Sequence, residues 1–98
     1  MSGEKAAYWI AHVEVSDVET YGKYAAIAPE AIAAHGGVFL ARGGAYRQME
    51  GTGRARNVVI RFPSLAAAVA CYESPRYREA LVFAGVSAVR DLVIVEEV

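Results

Sequence analysis

The chain is poor in the residues that build metal centres and disulfides. Its 98 residues include one cysteine, Cys71, and two histidines, His12 and His35. A lone cysteine cannot form an internal disulfide, which fits a reducing compartment. Two histidines and one cysteine without paired spacing do not supply the ligands of a zinc site. The sequence therefore predicts no disulfide and no metal.

Charge of one sign and long apolar runs are also lacking. The net charge at pH 7 is −1, which argues against a nucleic-acid partner because phosphate binding normally needs a basic surface. No apolar run approaches the roughly 20 residues of a membrane helix, and the first residues lack the order of a signal peptide. A glycine-rich nucleotide loop is absent as well. We expect a cytoplasmic protein with no membrane partner and no cofactor.

Apolar residues, by contrast, are abundant. They make up 55% of the chain, above the usual share of about 45–50%. A chain of this length forms one domain, here residues 1–98, with a single core. The excess of apolar residues fits a domain that also covers an apolar face with a partner subunit.

Hydrophobic periodicity predicts four strands and two helical regions. In order, the predicted elements are a strand over 8–15, a helix from Asp17 to about Ala34, a strand over Val38–Arg42 that could continue to Glu50, a strand over Asn57–Phe62, a helix after Ser64 that restarts at Ser74-Pro75, and a strand over Asp91–Glu96. This β-α-β-β-α-β order is typical of the ferredoxin-like α+β fold, with a four-stranded antiparallel sheet. Right-handed crossovers place both helices on one face and strands one and three in the centre.

The first helix carries its own signals. Ser16 and Glu19 have the spacing of a capping box, so we expect Ser16 to cap the helix. Residues at three- and four-residue spacing predict its buried stripe: Val18, Tyr21, Ala25, Ala28 and Ile32. Pro29 lies inside the helix and predicts a kink or a short break.

Several short motifs, taken together, resemble one bacterial family. They are Tyr8-Trp9-Ile10, Asp17 with Tyr21 and Tyr24, His35-Gly36-Gly37, Arg42-Gly43-Gly44, Glu50-Gly51, Phe62-Pro63-Ser64, Tyr72, Ser74-Pro75-x-Tyr77 and Asp91 to Glu96. As a set they resemble the family filed as domain of unknown function 1330, a dimeric α/β-barrel, ferredoxin-like family. The resemblance implies a homodimer in which two sheets pack face to face. It implies no established activity.

The chain departs from that family's pattern at two positions. Arg61 stands where the family usually has glutamate, and Ala84 stands where it usually has arginine. If the family's arginine anchors a ligand, either Arg61 replaces it in this chain or the ligand differs.

Strand alternation assigns the candidate site residues to faces. The uniformly apolar sets should face the helices, which leaves His12, Asn57 and Arg61 on the other face. We place Arg42 there too, so that these four side chains line one cleft between the sheet and its partner. The glycine pair after Arg42 predicts a bulge or bend with at least one positive φ.

Each candidate has a chemical and a structural interpretation. His12 is the proton-transfer candidate on this face, or a structural histidine at the dimer seam. Arg42 and Arg61 suit a carboxylate or another anion, or an intersubunit ion pair with Glu14, Glu50 or Glu96.

The remaining candidates belong to the helices. His35 is a second catalytic candidate, or a C-terminal cationic residue that favours the helix dipole. Tyr24 and Tyr77 are core residues with a hydroxyl at the rim of a ligand pocket. Cys71 is a buried small hydrophobic residue rather than a nucleophile.

Two functions remain open on these grounds. The first is a homodimeric small-molecule site for an anionic or aromatic ligand, with cofactor-free monooxygenase- or lyase-like chemistry. The second is a non-catalytic small-ligand-binding or stress-associated module. The fold alone does not choose between them.

Overall fold

A computed structural model describes residues 4–98 of the chain. The elements are β1 (Ala7–Val15), α1 (Val18–Ala34), β2 (Val38–Arg42), β3 (Arg56–Phe62), α2 (Leu65–Glu73), α3 (Pro75–Ser87) and β4 (Ala88–Glu96). This order confirms the ferredoxin-like fold, with the second helical region divided in two. Ser64 and Ser74 cap the two parts as predicted, accepting hydrogen bonds from the amides of Ala67 and Tyr77.

The sheet is antiparallel, and its strand order is β2-β3-β1-β4. Strands β1 and β3 therefore lie in the centre, as predicted. On β1, Trp9, Ala11 and Val13 are buried in the core, whereas His12 and Glu14, which alternate with them, are exposed. This alternation gives the sheet one face covered by the helices, here called the helix face, and one uncovered face, here called the open face.

Trp9 lies at the centre of the core beneath the helices. Its ring centroid is 5.1 Å from that of Phe62 and 5.0 Å from that of Tyr77. Its indole nitrogen donates a hydrogen bond to the carbonyl of Ala68 at 3.0 Å. The tryptophan is thus held by packing on β3 and α3 and by a polar contact with α2, which fixes the helices against the sheet.

The start of α1 corrects the predicted cap. Asp17, not Ser16, is the N-cap, and its carboxylate accepts hydrogen bonds from the amide and the hydroxyl of Thr20 at 3.2 and 2.8 Å. The amide and hydroxyl of Ser16 instead donate to the carbonyl of Ser87 at 2.8 and 3.0 Å. Because Ser16 is hydrogen-bonded to the last residue of α3, it does not cap α1. Helix α1 therefore begins one residue later than the capping box indicates.

The buried side of α1 also differs in part from the predicted stripe. Tyr21, Ala28 and Ile32 are buried as predicted, but Val18 is 81% exposed and Ala25 is exposed. The helix shows no break over its 17 residues, although Pro29 lies inside it. The other buried residues are Tyr24 and Ala31. The helix therefore presents a tyrosine-rich surface to the sheet.

Strand β2 is irregular at its centre. Phe39 pairs with Ile60, but the register shifts before Ala41, so that Arg42 pairs with Val58. The strand ends at Arg42, and the predicted continuation to Glu50 is wrong. Gly43 follows with a φ of +70°, which confirms the bend predicted at the glycine pair.

Apolar side chains remain uncovered on the open face. Val38 of β2 and Val93 of β4 are more than half exposed, and they flank central strands that carry Ile10 and Val59 on the same face. Among the helices of residues 4–98, none is long and apolar enough to cross a membrane.

Candidate ligand site

A cavity of about 280 Å³ lies between α1 and the helix face of the sheet. Its floor comes from all four strands, and its roof is formed by Tyr21, Tyr24 and apolar residues of α1. Three arginines also line it: Arg42 from β2, Arg56 from β3 and Arg90 from β4. An apolar cavity with a few converging polar groups is the usual form of a small-molecule site.

Strand register explains why these arginines meet. Arg56 and Arg90 both pair with Val13, from the two sides of the central strand. Neighbouring strands lie about 4.8 Å apart, so their Cα atoms are separated by only two strand spacings. Arg42 pairs with Val58, two residues along β3 from Arg56. Three guanidinium groups therefore occupy one end of the helix face.

The charges in this cavity have no carboxylate partner. Its lining contains no aspartate or glutamate. The ion pairs found in residues 4–98 use other arginines, namely Arg54, Arg61 and Arg76. Moreover, the Nε atoms of Arg56 and Arg90 are buried without a hydrogen-bond partner among the described residues. Buried donors are normally paired because an unpaired one costs free energy, so these two Nε atoms distinguish the site from the paired arginines elsewhere.

Arg90 joins two buried tyrosines into a polar group. Its Nη2 donates to the hydroxyls of Tyr24 and Tyr77 at 3.0 and 3.1 Å, and the two hydroxyl oxygens are 2.7 Å apart. Burial raises the pKa of both tyrosines above the usual range. Both side chains are consequently neutral phenols that can donate hydrogen bonds at neutral pH.

Arg42 and Arg56 are positioned by their neighbours on β2. The guanidinium of Arg42 lies over the ring of Phe39, 4.4 Å from its centroid. The Nη1 atom of Arg56 lies where a Cβ on Gly43 would be. Gly43 is therefore favoured for its positive φ, and a side chain at this position would also displace the guanidinium of Arg56.

The predicted cleft of His12 with Arg42 is wrong, because the two residues lie on opposite sides of the sheet. The shift in β2 register moves Arg42 onto the helix face beside Val58. His12 lies on the open face, where its Nδ1 is 2.7 Å from the Oδ1 of Asn57. The sequence interpretation assumed regular alternation through β2, and the bulge reverses it.

The other predicted residues are divided between several places. Arg61 lies on the open face, 3.8 Å from Glu97, on the other side of the sheet from buried Ala84. His35 lies at the end of α1, where its Nδ1 contacts the carbonyl of Ala31 at 2.8 Å. Neither lines the cavity. Tyr24 lines the cavity, and Tyr77 lies directly behind it.

Arg56 and Arg90 were missed because the predicted strands were one to three residues too short. Strand β3 begins at Arg56 rather than Asn57, and β4 begins at Ala88 rather than Asp91. Arg56 has the same alternation phase as Ile60, and Arg90 has the same phase as Leu92. Extending each strand toward its N-terminus would have placed both arginines on the helix face.

The comparisons with known proteins agree with this fold. Residues 6–98 match the family described as "Domain of unknown function (DUF1330)". Among curated proteins, none matches the chain. A solved structure of a protein of unknown function from Rhodopseudomonas palustris is similar, with a TM-score of 0.80 and 18% identity over 98% of this chain and 85% of the other.

Two further solved structures are similar at lower identity. One is SnoaB, a cofactor-independent oxygenase from Streptomyces nogalater, with a TM-score of 0.67 and 10% identity over 96% of this chain and 94% of the other. The second is a dimeric protein of unknown function with a ferredoxin-like fold from Bacteroides fragilis, with a TM-score of 0.56 and 17% identity over 94% and 96%. At these identities the likeness establishes the fold alone.

Proposed function

The chain belongs to the DUF1330 family, and on that premise we propose that it binds a small organic anion in the cavity between α1 and the sheet. The observation that carries this proposal is that Arg42, Arg56 and Arg90 line a cavity without a carboxylate, and that the Nε atoms of Arg56 and Arg90 have no hydrogen-bond partner among the described residues. Guanidinium groups bind carboxylates through short, charge-assisted hydrogen bonds. An anion would therefore supply the acceptor that the site lacks.

The apolar part of the cavity lining indicates which chemistry the uncharged part of the ligand should have. Trp9, Ile32 and Ile60 line it beyond the arginines, and they offer apolar contact with no hydrogen-bond acceptor side chain. A ligand with an anionic head and an apolar or aromatic body fits this division. A volume of about 280 Å³ is at the lower end of ordinary ligand sites, which favours a compact molecule.

We further propose that the protein acts as a homodimer. The exposed valines of the open face need a cover, and the similar Bacteroides fragilis protein is dimeric. Packing two open faces together would bury this apolar surface, as a standard interface of about 1,600 Å² or more does. The cavity lies on the opposite side of the sheet and stays accessible in such a dimer.

A binding role is favoured over a catalytic one. The cavity lining contains no histidine, aspartate, glutamate or cysteine, so no group of near-neutral pKa is available there for proton transfer. A monooxygenase- or lyase-like activity inside the cavity would have to use a tyrosine hydroxyl, and burial raises the pKa of Tyr24 above its usual range. His12 and His35 keep a catalytic role only for a substrate bound outside the cavity. In either case we place the protein in the cytoplasm, where free Cys71 fits a reducing environment.

Isothermal titration calorimetry with a carboxylate and its neutral counterpart tests this proposal. We expect phenylacetate, hexanoate or cinnamate to bind and the corresponding amides to bind at least tenfold more weakly. Arg56→Gln should lower carboxylate affinity by about tenfold or more. Arg78→Gln, on α3 outside the cavity, is the matched control and should leave it unchanged. Equal affinity for acid and amide, or no binding of any carboxylate, would contradict the proposal.

A further inference from the structure

The hydrogen atoms of the Arg90, Tyr24 and Tyr77 group can be assigned by counting donors and acceptors. The Nη2 of Arg90 donates to both tyrosine hydroxyls. Each hydroxyl therefore accepts one hydrogen bond from Arg90. One of the two tyrosines then donates to the other across 2.7 Å. A single hydroxyl hydrogen remains without an acceptor inside the group.

Burial decides which tyrosine holds that remaining hydrogen. Tyr77 is fully buried, and its hydroxyl contacts only Tyr24 and Arg90. If Tyr24 donated to Tyr77, the hydrogen of Tyr77 would be buried without a partner, which is costly. If Tyr77 donates to Tyr24, the remaining hydrogen belongs to Tyr24, which lines the cavity. The second arrangement is the one that the burial favours.

We propose that Tyr24 donates its hydroxyl hydrogen to the ligand and that the site selects a deprotonated carboxyl group, with Tyr77 as a positioning residue. This inference rests on the proposed anion-binding function and assigns the chemistry of its polar end. The lining of the cavity then contributes hydrogen-bond donors from Tyr24 and from the guanidinium groups of Arg56 and Arg90. Its lining offers no carboxylate, imidazole or amide side chain as an acceptor.

This one-sided arrangement has a direct consequence for specificity. Both oxygens of a carboxylate only accept hydrogen bonds, so each can pair with the donors of the site. An amide or a protonated acid brings a hydrogen of its own that would be buried without an acceptor. A methyl ester accepts but carries no charge. The affinity order should therefore be carboxylate, then ester, then amide.

Two phenylalanine substitutions, each removing one hydroxyl of the pair, test the assignment. We expect Tyr24→Phe to weaken phenylacetate binding about tenfold, because a hydrogen bond to a charged group is lost. We expect Tyr77→Phe to change it by less than threefold, because Tyr24 keeps its hydrogen for the ligand. Calorimetry with phenylacetate, methyl phenylacetate and phenylacetamide gives all the required affinities.

The Tyr77→Phe variant also provides a readout that a purely structural role would not change. Without the Tyr77 hydroxyl, the Tyr24 hydroxyl can rotate about its Cζ–O bond, so that its oxygen can turn a lone pair toward the cavity and accept a hydrogen bond from an amide. Affinity for phenylacetamide should therefore rise several-fold in this variant, while that for phenylacetate stays nearly constant. An unchanged ratio of the two affinities would overturn the positioning role of Tyr77.

A measurement on the unsubstituted protein removes the dependence on variant stability. With 13Cζ-labelled tyrosine, saturating phenylacetate should shift the Tyr24 resonance more than that of Tyr77. Wild-type protein that binds phenylacetate while Tyr24→Phe binds it equally well would overturn this inference and leave the proposed function intact. Wild-type protein that binds none of the carboxylates would overturn the proposed function itself.

Discussion

The two faces of the sheet treat charge in opposite ways. On the open face, Arg61 lies near Glu97 and His12 contacts Asn57, so polar groups are paired among exposed valines. On the helix face, Arg56 and Arg90 are partly buried without any carboxylate. Paired groups on an apolar surface are compatible with covering by a second protein surface. Unpaired donors beneath a helix are the groups that the proposed ligand would pair with.

The largest expected effect comes from a substitution that prevents a second copy of the chain from packing on the open face, as the proposed dimer requires. Ile10→Asp places a carboxylate at the centre of that face, between Val59 and Val93. Burying an unpaired charge costs about 3 kcal/mol or more, so the proposed dimer should dissociate at micromolar concentration in light scattering.

Val82→Asp is the control for this substitution, since Val82 is 67% exposed on α3. It should leave the mass unchanged. An Ile10→Asp protein that keeps the same dimeric mass would show that the open face is not the interface.

The next effect concerns the bend at Gly43, the residue that follows the end of β2. Gly43→Val introduces a branched side chain at a φ of +70° and against Arg56. Strain at such a position costs about 1–3 kcal/mol, measured as the free energy of unfolding in urea.

Gly44→Val provides the matched comparison, because a Cβ at Gly44 meets nothing within 4 Å. We expect its unfolding free energy to change by less than about 0.5 kcal/mol. Similar losses in the two variants would contradict the special role of Gly43.

A smaller effect is the pH dependence of stability that the buried thiol of Cys71 on α2 should produce. Burial raises the pKa of the Cys71 thiol to about 11. The folded pKa exceeds the unfolded value, so the thiol's contribution to stability is complete below the unfolded pKa and is lost as pH rises toward the folded one. Unfolding in urea should cost about 1 kcal/mol less at pH 10 than at pH 8 on this account.

Cys71→Ala separates this contribution from other titrations in the same range. The variant should lose less stability between pH 8 and pH 10 than the unsubstituted protein. Parallel pH profiles for the two proteins would mean that the thiol titrates alike in the folded and unfolded chain.

The smallest effect is a difference in carboxylate affinity between two arginine-to-lysine substitutions, one on each face of the sheet. Arg42→Lys keeps the charge at the rim of the cavity but loses the planar fork and the stacking on Phe39. Calorimetry should show carboxylate affinity weaker by about 1 kcal/mol. Arg61→Lys on the open face should leave it unchanged, and a loss there instead would return the ligand site to the open face.

Sequence reasoning reached the fold because its signals are local. Alternation on β1 and β3 set the buried face, and Ser64 and Ser74 marked two helix starts that the structure contains. The face of the sheet on which Arg42 lies could not be predicted from alternation. A one-residue irregularity reverses every later side chain, and the glycine pair indicated a bend without stating on which side of Arg42 the register shifts.

The candidate site depended on contacts across the chain and was found only in part. Tyr24 and Tyr77 were identified, but their partner Arg90 is 66 and 13 residues away. No short motif links these positions. Their meeting depends on strand register and on the rotation of α1, which differs from the predicted stripe at Val18 and Ala25.

The pairing of β1 with β4 has a consequence for how the chain folds. Ala7 lies opposite Glu96, and Val15 lies opposite Ala88, so β1 waits during synthesis until β4 has been made. Contacts this distant in sequence slow folding because loop closure precedes any gain from pairing. During translation, β1 has one hydrogen-bonding edge unpaired until β4 has left the ribosome. The nascent protein is therefore exposed to aggregation longest along that edge.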